Sequence, residues 1–192
     1  MVDLGNVCYK LFDYSRALEY YYRVFALAPD NKTVALCIAN THSVLNEVEK
    51  AYEFFEKSLA LEGDNYKSYI CYAIAKSDNK DYDGAVELYK KAIEIKPNEV
   101  NAYILLGNLY SNIKNYKDAE MQYREALKIN KLDPSLYVLI ANTFYMNNEI
   151  EGKLNYEIDL LPNLKYFSYS DRRILNMYYR DGMTVEAIAK EY

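Results

Sequence analysis

Small and apolar residues return along this chain at a fixed long interval, beneath the shorter rhythm of amphipathic helices. An aliphatic residue, then Gly or Ala, then Asn occurs in "LGNVCYK" from Leu4, "IANTHSV" from Ile38, "LGNLYSN" from Leu106 and "IANTFYM" from Ile140. The small residues Gly5, Ala39, Ala73, Gly107 and Ala141 are 34 residues apart, as are Ala17, Ala51, Ala85 and Ala119, and the aromatics Tyr21, Phe55, Tyr89 and Tyr123. Self-similarity at a period of about 20 to 50 residues predicts a stack of like units. Two helices fit in each period. Asp13-Tyr14, Glu47-Val48, Asp81-Tyr82, Asn115-Tyr116 and Glu149-Ile150 each set an acidic or amide residue before an apolar one, where an N-cap and first turn belong. Pro29, Gly63 and Pro97 stop the second helices in phase, and Pro134 comes slightly late.

The series has a packing reason. Two helices crossing at a shallow angle approach to about 8–10 Å only where the contact residues are small. Gly or Ala in the first helix and Ala in the second supply that contact, and an aromatic four residues after the second Ala fills the space beside it. One unit cannot bury such a face alone, so neighbours must stack.

Composition narrows the classes. A chain of 192 residues with a net charge of -5 gives no reason to expect broad attraction to nucleic acid or lipid. No uncharged run is long enough to span a bilayer, and "MVDLGNVCYK" lacks a secretory pattern, so the expected compartment is the cytoplasm. Cys8, Cys37 and Cys71 form no Cys-x-x-Cys pair and His42 is the single histidine; buried reduced thiols and no metal or other cofactor are expected. With 23 Tyr and no Trp, tyrosine must fill much of the interior, and its hydroxyls need partners.

The stretch "AYILLGNLYSNIKNYKDAEMQYREALKIN", Ala102 to Asn130, resembles the tetratricopeptide repeat family: an aromatic before Leu-Gly, a Tyr three residues after Gly107, the Asn-Tyr-x-x-Ala turn, then a later aromatic and Ala126. The resemblance implies an all-α, right-handed superhelix of about five helix pairs, at 1–31, 32–65, 66–99, 100–133 and 134–167. The first helix lacks its opening turn. The fifth unit is degenerate, with Lys153 and Glu157 in place of Ala and the aromatic, and Pro162 ending its second helix early. It also implies a non-enzymatic protein-interaction scaffold.

By the same resemblance, Asn6, Asn40, Asn108 and Asn142 line a concave groove on the first helices; the third unit has Ile74 instead. An amide carries both a donor and an acceptor and so matches an extended peptide backbone. The alternative is structural: Asn holding a helix contact or a water. Helical spacing extends the face. Four residues earlier comes an aliphatic row that includes Ile70 and Ile104, fit either for ligand or for packing between first helices. Three residues later come Tyr9, Ser43, Ser111 and Tyr145, with Asn112 beside them. Four Asn contacts at about 0.5–1.5 kcal/mol each fall short of the roughly 8 kcal/mol of a micromolar complex, so apolar anchors or a larger partner surface must add to them. Aliphatic residues stand where a clamp for a chaperone's C-terminal carboxylate needs Lys or Arg, which argues against that activity.

Catalysis finds no support. His42 occupies the place of Tyr110 and Phe144 and reads as packed, and there is no phosphate loop or nucleophile motif. Residues 168–192 form a separate helical segment, in which "SDRRILNMYYRDGMTVEAIAKEY" resembles the opening of the helix-turn-helix in sigma-factor region 4. Tyr178 and Ala187 also continue the 34-residue series, so a cap on the array is the other reading. The expected partner is a protein or peptide. Self-association is compatible with the abrupt first helix, and nucleic acid enters only if the chain continues past residue 192 with a recognition helix.

Overall fold

The computed structural model describes residues 1–61 and 63–151. Among them are nine helices and no strand: α1 (Val2–Lys10), α2 (Tyr14–Leu27), α3 (Lys32–Val44), α4 (Val48–Ala60), α5 (Tyr66–Asp78), α6 (Tyr82–Ile95), α7 (Val100–Asn112), α8 (Tyr116–Ile129) and α9 (Pro134–Glu151). The chain divides into two compact units, Met1–Asn98 and Glu99 onward. The first holds the pairs α1/α2, α3/α4 and α5/α6; in the second, α7 packs on α8 and α8 on α9. No described helix is long and apolar enough to cross a membrane.

Each turn between paired helices is built the same way. Phe12, Asn46, Lys80 and Lys114 have φ near +60°. The next residue donates its N–H to a carbonyl five residues back: Asp13 to Cys8 (2.9 Å), Glu47 to His42 (2.9 Å), Asp81 to Lys76 (2.9 Å) and Asn115 to Tyr110 (2.8 Å). This is the Schellman closure, which satisfies carbonyls that the helix end would orphan. The donor residue is also the N-cap of the following helix. Asp13, Asp81 and Asn115 accept from the N–H of Arg16, Gly84 and Asp118. Glu47 makes no such bond; its carboxylate is held by His42 instead, at 2.5 Å. One residue thus ends one helix and starts the next, which leaves no slack in the hairpin. At the α4–α5 junction the stop expected at Gly63 has φ +106°, a conformation that glycine adopts without strain.

The small residues lie where expected. Ala17, Ala39, Ala51, Ala73, Ala85 and Ala119 are fully buried or within 1% of it, and Tyr21, Phe55, Tyr89 and Tyr123 are buried beside them. His42 is packed as expected. It is buried, stacks on Phe54, and bonds the Tyr22 hydroxyl at 2.7 Å. The cysteines depart from expectation: all three are free but half-buried rather than enclosed. The fifth unit departs further, since α9 runs unbroken through Glu149-Ile150, where a turn was expected. α9 thus carries the first helix of the fifth unit past the position at which the earlier first helices end. The rest of the expected fifth pair and the segment 168–192 lie outside the described residues.

Candidate peptide-binding surface

In the first and fourth pairs the repeated Asn belongs to a three-residue device. The Tyr21 hydroxyl donates to Asn6 Oδ1 at 2.8 Å, and the Tyr123 hydroxyl to Asn108 Oδ1 at 2.7 Å. Both rings lie over the preceding glycine. A Cβ on Gly5 would sit 2.5 Å from Tyr21 Cε1, and one on Gly107 would sit 2.5 Å from Tyr123 Cε1. Glycine therefore lets the ring cross the first helix closely enough for its hydroxyl to reach the next residue. Burial pushes the Tyr123 phenol up to about 12, and it raises Tyr21 as well, with Cys37 adding to the effect. Both phenols are neutral donors near neutral pH. Because the Asn oxygen accepts, what remains to the side chain is the donor chemistry of its amide NH₂ group.

The other pairs are built differently. The second has Ala39, Asn40 and Phe55, so no hydroxyl is offered, and Asn40 Nδ2 donates instead to Cys71 Sγ at 3.8 Å. The third has Ala73, Ile74 and Tyr89, with Tyr89 buried and Ile74 exposed. A contact between adjacent first helices recurs at an offset of 31 residues. Cys37 Sγ stands 4.0 Å from Asn6 Oδ1, as Cys71 does near Asn40, and burial raises both thiols.

The remaining expected site residues fall as follows. In the first unit, Tyr9 is half-buried and meets the Tyr14 ring edge-on at 5.3 Å, and Ser43 is half-buried. Ile70 is buried, so it serves packing rather than an open groove. In the second unit Ile104 and Ser111 are half-buried, while Asn112 and Asn142 are exposed. Tyr145 lies on α9, and its side chain is outside the described ones.

Four of the expected residues come together in the second unit. Asn108, Ser111, Asn112 and Asn142 line a cavity of about 320 Å³ with Tyr123, Leu139 and Thr143. None of the seven is charged. Thr143 Oγ1 donates back to the carbonyls of Leu139 (3.0 Å) and Ile140 (2.8 Å), so toward the cavity its oxygen can only accept. The wall thus combines amide donors, hydroxyl and amide acceptors and one aliphatic side chain, a surface suited to neutral polar groups. Leu139, Tyr123 and Thr143 were not expected in the site. Leu139 could have been found from the 31-residue offset, since it follows Asn108 as Cys37 follows Asn6. Among the described residues no group of His, Cys, Asp or Glu is arranged to hold a metal.

Comparison with known families and structures places this geometry. A model described as "TPR repeat" matches residues 77–114, and one described as "Tetratricopeptide repeat" matches residues 1–31 and 100–131. No curated protein matches the chain. Among solved structures, MamA is 18% identical with a TM-score of 0.66, over 95% of this chain and 99% of that one. PilF of Pseudomonas aeruginosa is 17% identical with a TM-score of 0.72, over 100% of this chain and 86% of that one. YrrB, described as a TPR protein with an unusual peptide-binding site, is 15% identical with a TM-score of 0.62, over 92% and 90%. At these identities the likeness is one of fold.

Proposed function

This chain belongs to the tetratricopeptide repeat proteins, scaffolds for protein–protein interaction, and from that premise we propose that it captures an extended peptide segment of a partner protein. Residues Asn108, Ser111, Asn112 and Asn142 of the second unit make the contacts. The observation that carries this reading is their convergence on one uncharged cavity, in which the Tyr123 bond fixes Asn108 as a donor. An extended backbone offers carbonyls to that donor, and Leu139 gives an apolar side chain a wall to rest against. The lack of charged lining speaks for a neutral stretch of peptide over a terminal carboxylate or phosphate, either of which needs charge-assisted bonds once desolvated. In the first unit Asn6 and Asn40 continue the same chemistry with their amides.

The test is selection of peptides from a displayed random library on the purified protein, followed by affinity measurement on variants. Asn112→Ala with Asn142→Ala removes two contacts of about 1 kcal/mol each and weakens a selected neutral peptide about thirtyfold. Asn108→Asp keeps the acceptor for Tyr123 but replaces the amide donor with a charge, and it abolishes binding with little change in melting temperature. Peptides that bind these variants as tightly as the parent protein would refute the proposal.

A further inference from the structure

The first helix carries an apolar stripe that nothing among the described residues covers. Leu4 and Val7 are each 52% exposed and Leu11 is 72% exposed. Leu4 and Val7 occupy positions that are closed in the later pairs, whereas the position of Leu11, the C-cap of α1, stays exposed there, at Leu45 and Asn79. One period on, Ile38 and Thr41 are fully buried in α3, which packs against the preceding α2. Two periods on, Tyr72 and Ala75 are buried in α5, and Tyr72 stacks on Phe55 and tilts against Tyr52 of the preceding α4. This is the face on which such a helix receives another helix.

We propose that the occupant is α1 of a second copy of this chain, lying antiparallel about a two-fold axis at Val7. Residues seven apart on an α-helix differ by only about 20° in direction, so Leu4 and Leu11 share one line, and Asp3 and Lys10 share another along one edge of the stripe. Both of these charged residues are exposed. With two antiparallel helices centred on Val7, Leu4 of one copy meets Leu11 of the other, Val7 meets Val7, and Asp3 meets Lys10 twice over. The surface is self-complementary in apolarity and in charge, as an isologous interface requires. Antiparallel alignment also sets the positive N-terminal end of each helix beside the negative C-terminal end of its mate. A parallel pair would instead oppose Asp3 to Asp3 and Lys10 to Lys10. One helix–helix contact falls below the roughly 1,000 Å² of a tight interface, so the dimer is weak and depends on concentration.

Sedimentation velocity of the full chain from about 10 to about 500 µM tests it, mass action converting a weak dimer into a rising sedimentation coefficient. The parent protein moves from monomer to dimer across that range. Val7→Lys, at an exposed position that leaves far-UV circular dichroism unchanged, weakens the dimer at least about tenfold. Asp3→Lys and Lys10→Asp each weaken it several-fold, and the double variant with both changes restores it, since only the antiparallel register re-pairs the swapped charges. A protein that stays monomeric at the highest concentration overturns the proposal and leaves the stripe to a different partner. So does a dimer indifferent to Val7→Lys. Single charge variants that weaken association without rescue in the double variant refute the antiparallel register.

Discussion

The first and fourth helix pairs spend their repeated Asn differently from the second. In the former, glycine lets a tyrosine cross the first helix and tie up the Asn oxygen; in the latter, buried Ala39 and Phe55 stand in those places and Asn40 bonds Cys71. Substitutions in these places come as sets. Gly goes with Asn and Tyr, and Ala goes with Asn and Phe. The third pair keeps Tyr89 but has Ala73 before it and Ile74 in the Asn position. The Asn is therefore structural in the first and fourth pairs through its oxygen. At Asn6 and Asn108 the oxygen ties the hairpin together, which is the structural reading of the row, and the amide NH₂ is the group that the proposed peptide contact uses.

The strongest way to break this contrast is Gly107→Ala. The added methyl would stand 2.5 Å from Tyr123 Cε1 and 2.8 Å from Cδ1, inside any tolerable contact with a ring whose own surroundings are packed. Overpacking costs about 1–3 kcal/mol and loss of the Tyr123–Asn108 bond about 1, while helix propensity returns about 1, leaving a net loss near 2 kcal/mol. Urea unfolding measures it. A loss below about 0.5 kcal/mol would mean that the ring can shift freely, and the Gly–Asn–Tyr device would then be incidental. Gly5→Ala follows the same logic in the first pair.

Tyr123→Phe is a milder cut, about 1 kcal/mol, because Asn108 is half-buried and water can replace the lost donor. Its alkaline signature is sharper. Burial raises the Tyr123 phenol to about 12 in the folded protein, so folding favours the protonated form. The stability this group contributes is whole below the ordinary value near 10 and is lost as pH rises through 12. Tyr89 and Tyr72 are also raised to about 12 by burial, so the parent protein loses stability over that interval from several groups at once. The difference between parent and Tyr123→Phe isolates one of them and should shrink steadily from pH 9 to pH 11.5 in urea titrations. A difference that stays constant with pH would show that Tyr123 ionises as readily folded as unfolded.

The period, the Ala and Gly contact series and the N-cap positions were all legible in the sequence, because each rests on a residue type with a strong local preference. The αL turn residues were not. Phe12, Lys80 and Lys114 have no liking for positive φ, and only Asn46 gives a hint. There the closure of the hairpin imposes the conformation. The Tyr–Asn bond was hidden for another reason: its partners lie 15 residues apart on two helices, and no pattern within one helix reveals them. Ile70 and Ile104 hold equivalent positions in the row, yet only Ile70 is buried, a difference made by neighbours rather than by residue type.

The smallest expected effect separates two of the turns that carry charge pairs. In the second pair Glu47 is shared between Lys50, at 3.2 Å, and His42, at 2.5 Å; in the third, Asp81 accepts from Lys76 at 2.5 Å and from the Gly84 N–H. Lys50 first and then His42 hold the Glu47 carboxyl below its usual range, and Lys76 does so for Asp81, followed by the Gly84 N–H. A carboxyl lowered by folding contributes stability that is present above its unfolded value, near 4, and is lost as pH falls through the folded value. Lys50→Met leaves Glu47 its bond to His42 at 2.5 Å. Lys76→Met removes the side-chain cation bonded to Asp81 and leaves it the Gly84 N–H. Unfolding midpoints followed from pH 6 down to pH 3 should therefore flatten more in Lys76→Met than in Lys50→Met. The reverse order would mean that His42 does not support Glu47 in acid, and that the histidine in this turn serves its stack on Phe54 and its bond to Tyr22 alone.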